Sequence, residues 1–158
     1  MARDNRQLTD ADWKFRQNAS QFARQGYSIA GSIRSGLLER SDDGDLTVGE
    51  IVGSVCCIDK SVANRAGFVV KVAASVSLTC QSCGDAFQLP ISSQSSIHVA
   101  HDAAELASWE DEAFECIEGN EKTSALELVE DELLLAVPFI PRCEKCEAKV
   151  PPHTIEFN

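Results

Sequence analysis

Two Cys-x-x-Cys pairs constrain this chain more than any other feature: Cys80-Gln81-Ser82-Cys83-Gly84 in the middle and Cys143-Glu144-Lys145-Cys146 near the C-terminus. Two thiols three residues apart on a tight turn reach one small ion, and a second such turn completes the four-coordinate shell of Zn²⁺. In a knuckle of this kind the backbone N–H groups after the first Cys fold back towards its sulfur. A glycine at position 84 relieves the crowding that this creates. Fifty-nine residues separate Cys83 from Cys143, far more than in a compact zinc ribbon, so a shared ion would join distant parts of the chain. The expectation is one Zn²⁺ per chain held by Cys80, Cys83, Cys143 and Cys146. The alternatives are free or disulfide-paired thiols, or a redox pair. A thioredoxin-type pair opens a helix after a strand, whereas Cys80–Cys83 sits between two strand-like runs.

Those runs explain how the first pair is held. Val70, Val72, Ala74, Val76, Leu78 and Cys80 alternate with Lys71, Ala73, Ser75, Ser77 and Thr79. Phe87, Leu89, Ile91, Ile97 and Val99 alternate with mostly polar residues, and Ser93 and Ser95 interrupt the apolar series. A period of two marks half-buried strands, so the knuckle is expected at the tip of a long β-hairpin over residues 68–99. Pro90 has no N–H for a ladder, which places the second strand at a sheet edge or a bulge.

At 158 residues with a mean hydropathy of −0.14, one domain with a substantial core is expected. No apolar run approaches the ~20 residues of a membrane span, and residues 1–7 lack a signal-peptide core. Seven cysteines without an export signal indicate a reducing cytoplasm, where metal binding outweighs disulfides. The net charge of −11 is unevenly spread: residues 1–40 carry +3 and residues 102–132 carry −11. Such a middle repels a nucleic-acid backbone and is either a solvated surface or a patch that docks a basic protein.

Along the chain, residues 8–40 read as a helical or mixed segment. A helix over residues 10–25 is capped by Thr9, with Trp13, Phe15, Ala19, Phe22 and Ala23 on one loose face. Lys14, Arg16 and Arg24 make it basic, and Gly26 ends it. A short strand over 27–30, a short helix or turn over 33–40 and a loop over 41–45 follow. Residues 46–118 form the β-rich core. There Cys56 and Cys57 face opposite ways in a strand and, with Cys116, read as inert small hydrophobes. His98 and His101 read as surface residues, and His153 is the one histidine placed to substitute as a ligand. Residues 123–146 hold an acidic helix and the second Cys pair; 147–158 is a tail. Ser124 and Glu127 have capping-box form, and Pro138 ends the helix near Val137. Leu126, Val129, Leu133, Ala136 and Val137 share one face, with Leu128 and Leu135 nearly opposite. Glu130 falls inside the apolar arc, where a charged side chain ordinarily bends out to water. Leu128, Glu130, Asp131, Glu132 and Leu135 are the candidate partner-binding residues. The fold class is α+β: an antiparallel β-rich core with a long zinc-knuckle hairpin, an N-terminal helix and an acidic C-terminal helix.

The run from Val76 to Cys83, together with residues 128–138 (LVEDELLLAVP) and Pro141, resembles the YceD family, the large ribosomal RNA subunit accumulation proteins of bacteria and plastids. The resemblance implies a cytoplasmic protein needed for normal levels of 23S ribosomal RNA. It maps the family's leading cysteine pair to Cys80 and Cys83 and its acidic helix to Glu130, Asp131 and Glu132. Many relatives carry a His-containing segment with a single Cys where this chain has Cys143 and Cys146. Three classes of function compete. A non-catalytic ribosome-assembly factor with a structural zinc and a basic protein partner is favoured. A zinc-dependent RNA-binding protein would act through Lys14, Arg16 and Arg24, but it lacks a broad basic, aromatic surface. A thiol redox or RNA-processing enzyme lacks an open metal position or convergent acid–base set. Neither a membrane nor a small-molecule substrate is implied.

Overall fold

Alternating side chains are what a strand with one dry face requires, and both runs beside the first cysteine pair form such strands. The computed structural model describes residues 8–25, 28–38, 47–58, 66–109, 115–138 and 140–148. Their elements in order are α1 (Asp10–Lys14), β1 (Gln17–Asn18), α2 (Ala19–Arg24), β2 (Ser28–Ile33), a 3-10 turn (Ser35–Leu37) and β3 (Thr47–Ile58). Next come β4 (Gly67–Thr79), β5 (Ala86–Ala100), α3 (Ala103–Ser108), β6 (Glu115–Glu118), β7 (Lys122–Thr123), α4 (Ala125–Ala136) and α5 (Glu144–Glu147). The expected features at Gly26, Tyr27, residues 41–45 and His153 lie outside the described residues.

The main sheet has the order β2-β3-β4-β5-β6. It is antiparallel except at β5–β6, where Ile97–Glu115 and Val99–Ile117 pair in parallel. This is the α+β architecture expected from the sequence. One face is the core: Ile33, Ile51, Val55, Phe68, Val70, Val76 and Ile91 are buried there, whereas Lys71, Ala73, Ser75 and Ser92 on the other face are exposed. Helix α4 lies across β3, β4 and β5, α2 packs on β3 and β5, and α1 packs against α4. Gly53 explains how close α4 comes: a Cβ there would lie 2.9 Å from Val129 Cγ1. The Ser124 hydroxyl caps α4 by accepting the Glu127 N–H at 3.1 Å.

The single helix expected over residues 10–25 is two helices. Thr9 caps the first in a full capping box with Asp12, but Phe15 turns extended and ends it. Gln17 and Asn18 then pair with Thr123 and Lys122. Those backbone groups bond across to β7, so they are not available to a helical ladder. Trp13, Ala19, Phe22 and Ala23 are buried as the apolar face requires, and Phe15 is exposed. Pro90 pairs opposite Ser75 in a stretch of β5 that has no outer neighbour among the described residues. Cys57 is buried and Cys56 exposed, so only Cys57 belongs to the core; Cys116 is half-buried.

Candidate metal centre

The hairpin turn between β4 and β5 is built by its own backbone. The Cys80 N–H donates to the Asp85 carbonyl at 2.8 Å, and the Gly84 N–H donates to the Cys80 carbonyl at 2.9 Å. Gly84 has φ +79°, a left-handed geometry that glycine adopts without a Cβ clash. The N–H groups of Ser82 and Cys83 point at the Cys80 sulfur, at 3.4 and 3.5 Å. The second pair is carried to the same point by the segment after α4. The Gln81 N–H donates to the Pro141 carbonyl at 2.8 Å, and α5 then starts at Cys143 as its N-cap.

The sulfurs of Cys80, Cys83, Cys143 and Cys146 all lie within 4.8 Å of one another. Those of Cys83 and Cys143 are 3.8 Å apart. A Zn–S bond of about 2.3 Å in a tetrahedron implies sulfur–sulfur edges of about 3.8 Å, so the donor set fits a tetrathiolate ion. The Cys80 thiol is pulled down to about 6, chiefly by the Cys143 backbone N–H and further by those of Cys83 and Ser82, against the opposing effect of burial. Cys146 is pushed up to about 12 by its hydrogen bonds with the Cys143 and Cys80 sulfurs and by burial. Metal binding requires thiolates and displaces the remaining protons. Four protein ligands leave no open position, which is the pattern of a structural rather than a catalytic site.

The other candidate residues do not form one surface. Leu128, Glu130 and Glu132 are buried, at 4%, 4% and 7% exposure, whereas Asp131 is exposed and Leu135 is 73% exposed. Glu130 does not bend out to water as its position in the arc led one to expect. Glu132 accepts hydrogen bonds from the hydroxyls of Ser93 and Ser95 on β5. The two serines that interrupt the apolar series therefore meet a buried carboxylate, a pairing that sequence reading missed. Its signal was there: two polar residues at inward positions of a strand, in a chain with an acidic helix to bury. Glu115, at the start of β6, is raised by burial and then by repulsion from Glu132 and Asp131. Of the basic residues, Arg16 forms an ion pair with Glu127 at 2.9 Å and donates to the Lys122 carbonyl at 3.1 Å. Lys14 and Arg16 line a cleft of about 330 Å³ with Glu127 and Glu130. Arg24 lines a different cleft, of about 350 Å³, with His101 and Asn120. His98 stacks edge-on against Trp109.

A five-stranded main sheet packed by α2 and α4, its β4–β5 hairpin tip meeting a C-terminal segment in a four-cysteine cluster, defines a small α+β protein with a candidate structural metal site. The family model described as Large ribosomal RNA subunit accumulation protein YceD matches residues 68–156, from the first strand of the hairpin through the second cysteine pair. The chain belongs to that family. No curated protein and no solved structure matches the chain. No helix among the described residues is long and apolar enough to cross a membrane.

Proposed function

We propose that this protein is a non-catalytic, cytoplasmic factor in large ribosomal subunit biogenesis that supports 23S ribosomal RNA accumulation by docking a basic protein. One structural Zn²⁺ on Cys80, Cys83, Cys143 and Cys146 fastens the hairpin tip to the segment after α4. The supporting observation is the convergence of four sulfurs from segments 60 residues apart, within the stretch that the YceD family model matches. Zinc bound there would supply folding free energy and no reaction step; in zinc-finger peptides the apparent value is on the order of 10 kcal/mol. Direct RNA contact through Lys14, Arg16 and Arg24 is the weaker reading, because Arg16 is engaged by Glu127 and Arg24 lies at another cleft.

Two measurements test the proposal together. Untagged protein is expected to carry one zinc per chain, lost on Cys83→Ser or Cys143→Ser. A pull-down from extract is expected to retain a defined basic protein after RNase treatment. Zinc near zero with freely reactive thiols overturns the metal assignment, and loss of all partners on RNase treatment favours RNA binding.

A further inference from the structure

Strand β5 is longer than its outer neighbour. β6 pairs with residues 97–100, and among the described residues no strand lies against the outer side of residues 86–96. At about 3.3 Å per residue, roughly 35 Å of this edge has no strand partner among the described residues. Proteins blunt such edges with charged side chains, Pro or a covering element. Residues 86–96 (AFQLPISSQSS) hold no charged residue, and Pro90 is their single guard.

What lies beside this edge differs from what lies beside β2, the other edge strand. Helix α4 reaches β5 through Glu132, which Ser93 and Ser95 hold. Asp131, next to it, is exposed, and the proton affinity of Glu115 rises chiefly through burial and further through the nearby charges of Glu132 and Asp131. One turn further along α4, towards the knuckle, Leu135 is exposed. The α4 side of this edge thus carries carboxylates: Glu132 on Ser93 and Ser95, with Asp131 and Glu115 in electrostatic reach of one another. By contrast, Arg34 directly follows β2 and pairs with Asp10.

We propose that the open edge of β5 beside α4 is a docking site for an extended basic segment of a partner protein, which adds alongside β5 as a further strand. Main-chain hydrogen bonds to residues 86–96 hold the segment. Alternate side chains on its α4 side carry the positive charge towards Asp131 and Glu115. Phosphodiester chains are disfavoured by the same carboxylates. This rests on the reading of the protein as a factor that docks a basic partner, and it names the mode.

The test uses the full zinc-loaded chain and three labelled nine-residue peptides. One alternates Lys and Val, one has the same sequence N-methylated at alternate residues, and one alternates Glu and Val. The Lys–Val peptide is expected to bind and to slow hydrogen exchange at amides within 86–96. N-methylation keeps its charge but removes two or more hydrogen bonds, so binding should weaken by about tenfold or more. Asp131→Lys, at an exposed position, should weaken the Lys–Val peptide, and the Glu–Val peptide should not bind. Equal binding of the methylated peptide, or protection confined to β2, overturns the proposal. So does a single-stranded ribosomal RNA fragment that protects the same amides. If Asp131→Lys abolishes ribosomal RNA accumulation in cells while the edge is never protected, the docking reading stands and the β5 mode falls. If the edge pairs with peptide but the variant accumulates ribosomal RNA normally, the docking reading itself falls.

Discussion

Two neighbouring cysteines show how burial sets the chemistry of a side chain. Cys57 lies on the core face of β3, and burial, with a smaller contribution from Cys56, pushes its thiol up to about 12. Cys56 on the opposite face is exposed. Alkylation of native protein with iodoacetamide at pH 8 is therefore expected to label Cys56 and spare Cys57, as peptide mass spectrometry would show, because the thiolate is the reactive form. Equal labelling would mean that β3 is not held in this register. Glu115 permits a second prediction. Its carboxyl is raised above the usual value by burial and then by Glu132 and Asp131, so folding favours the protonated form. The stability this gives is present at acid pH and is lost as pH rises through the shifted value. Glu115→Gln should thus raise the melting temperature at pH 7 and have no effect near pH 3. The gain should stay below ~1 kcal/mol, because the side chain is only partly shielded and keeps most of its contact with the screening solvent.

At the scale of elements, α4 carries two leucines seven residues apart with opposite fates. Leu128 belongs to the core cluster, whereas Leu135, near the C-terminal end of the helix, is exposed. Leu128→Ala is expected to cost about 2–5 kcal/mol in urea unfolding, as buried leucine truncations do. Leu135→Asp should change stability by no more than about 0.5 kcal/mol, the range of an ordinary surface substitution. On the docking reading it should nevertheless abolish complementation of the ribosomal RNA phenotype. A large stability loss on Leu135→Asp would falsify the assignment of that position to a partner surface.

For the whole molecule, the cysteine cluster closes a loop from the hairpin tip through β5, β6 and α4 back to the tip. The protein's own hydrogen bonds described across this junction are few: the Gln81 N–H donates to the Pro141 carbonyl, and the Cys143 N–H donates to the Cys80 sulfur. If the cluster holds the proposed zinc, its chelation is expected to release the segment over 140–148 first. Faster amide exchange should appear there and at residues 80–85, while β3 and β4, paired on both sides, remain protected. Simultaneous loss of protection throughout the sheet would show instead that the ion is required for the global fold.

How much of this could be read in advance depends on the range of the interaction. The knuckle at 80–84, the alternation through β4 and β5, the Ser124 cap and the stop near Val137 follow from residues within a few positions of one another, and the sequence alone determines them. The break at Phe15 does not, because it depends on Gln17 and Asn18 meeting Lys122 and Thr123, more than a hundred residues away. Glu132 at inward-facing Ser93 and Ser95, Gly53 beneath Val129, and the different fates of Leu128 and Leu135 likewise arose only when α4 was laid across the sheet. The cysteine spacing made a four-sulfur site conceivable. Only the tertiary structure brought the sulfurs within 4.8 Å, because two thiols in each pair are positioned by a local turn, whereas the distance between the pairs is set by the packing of everything in between.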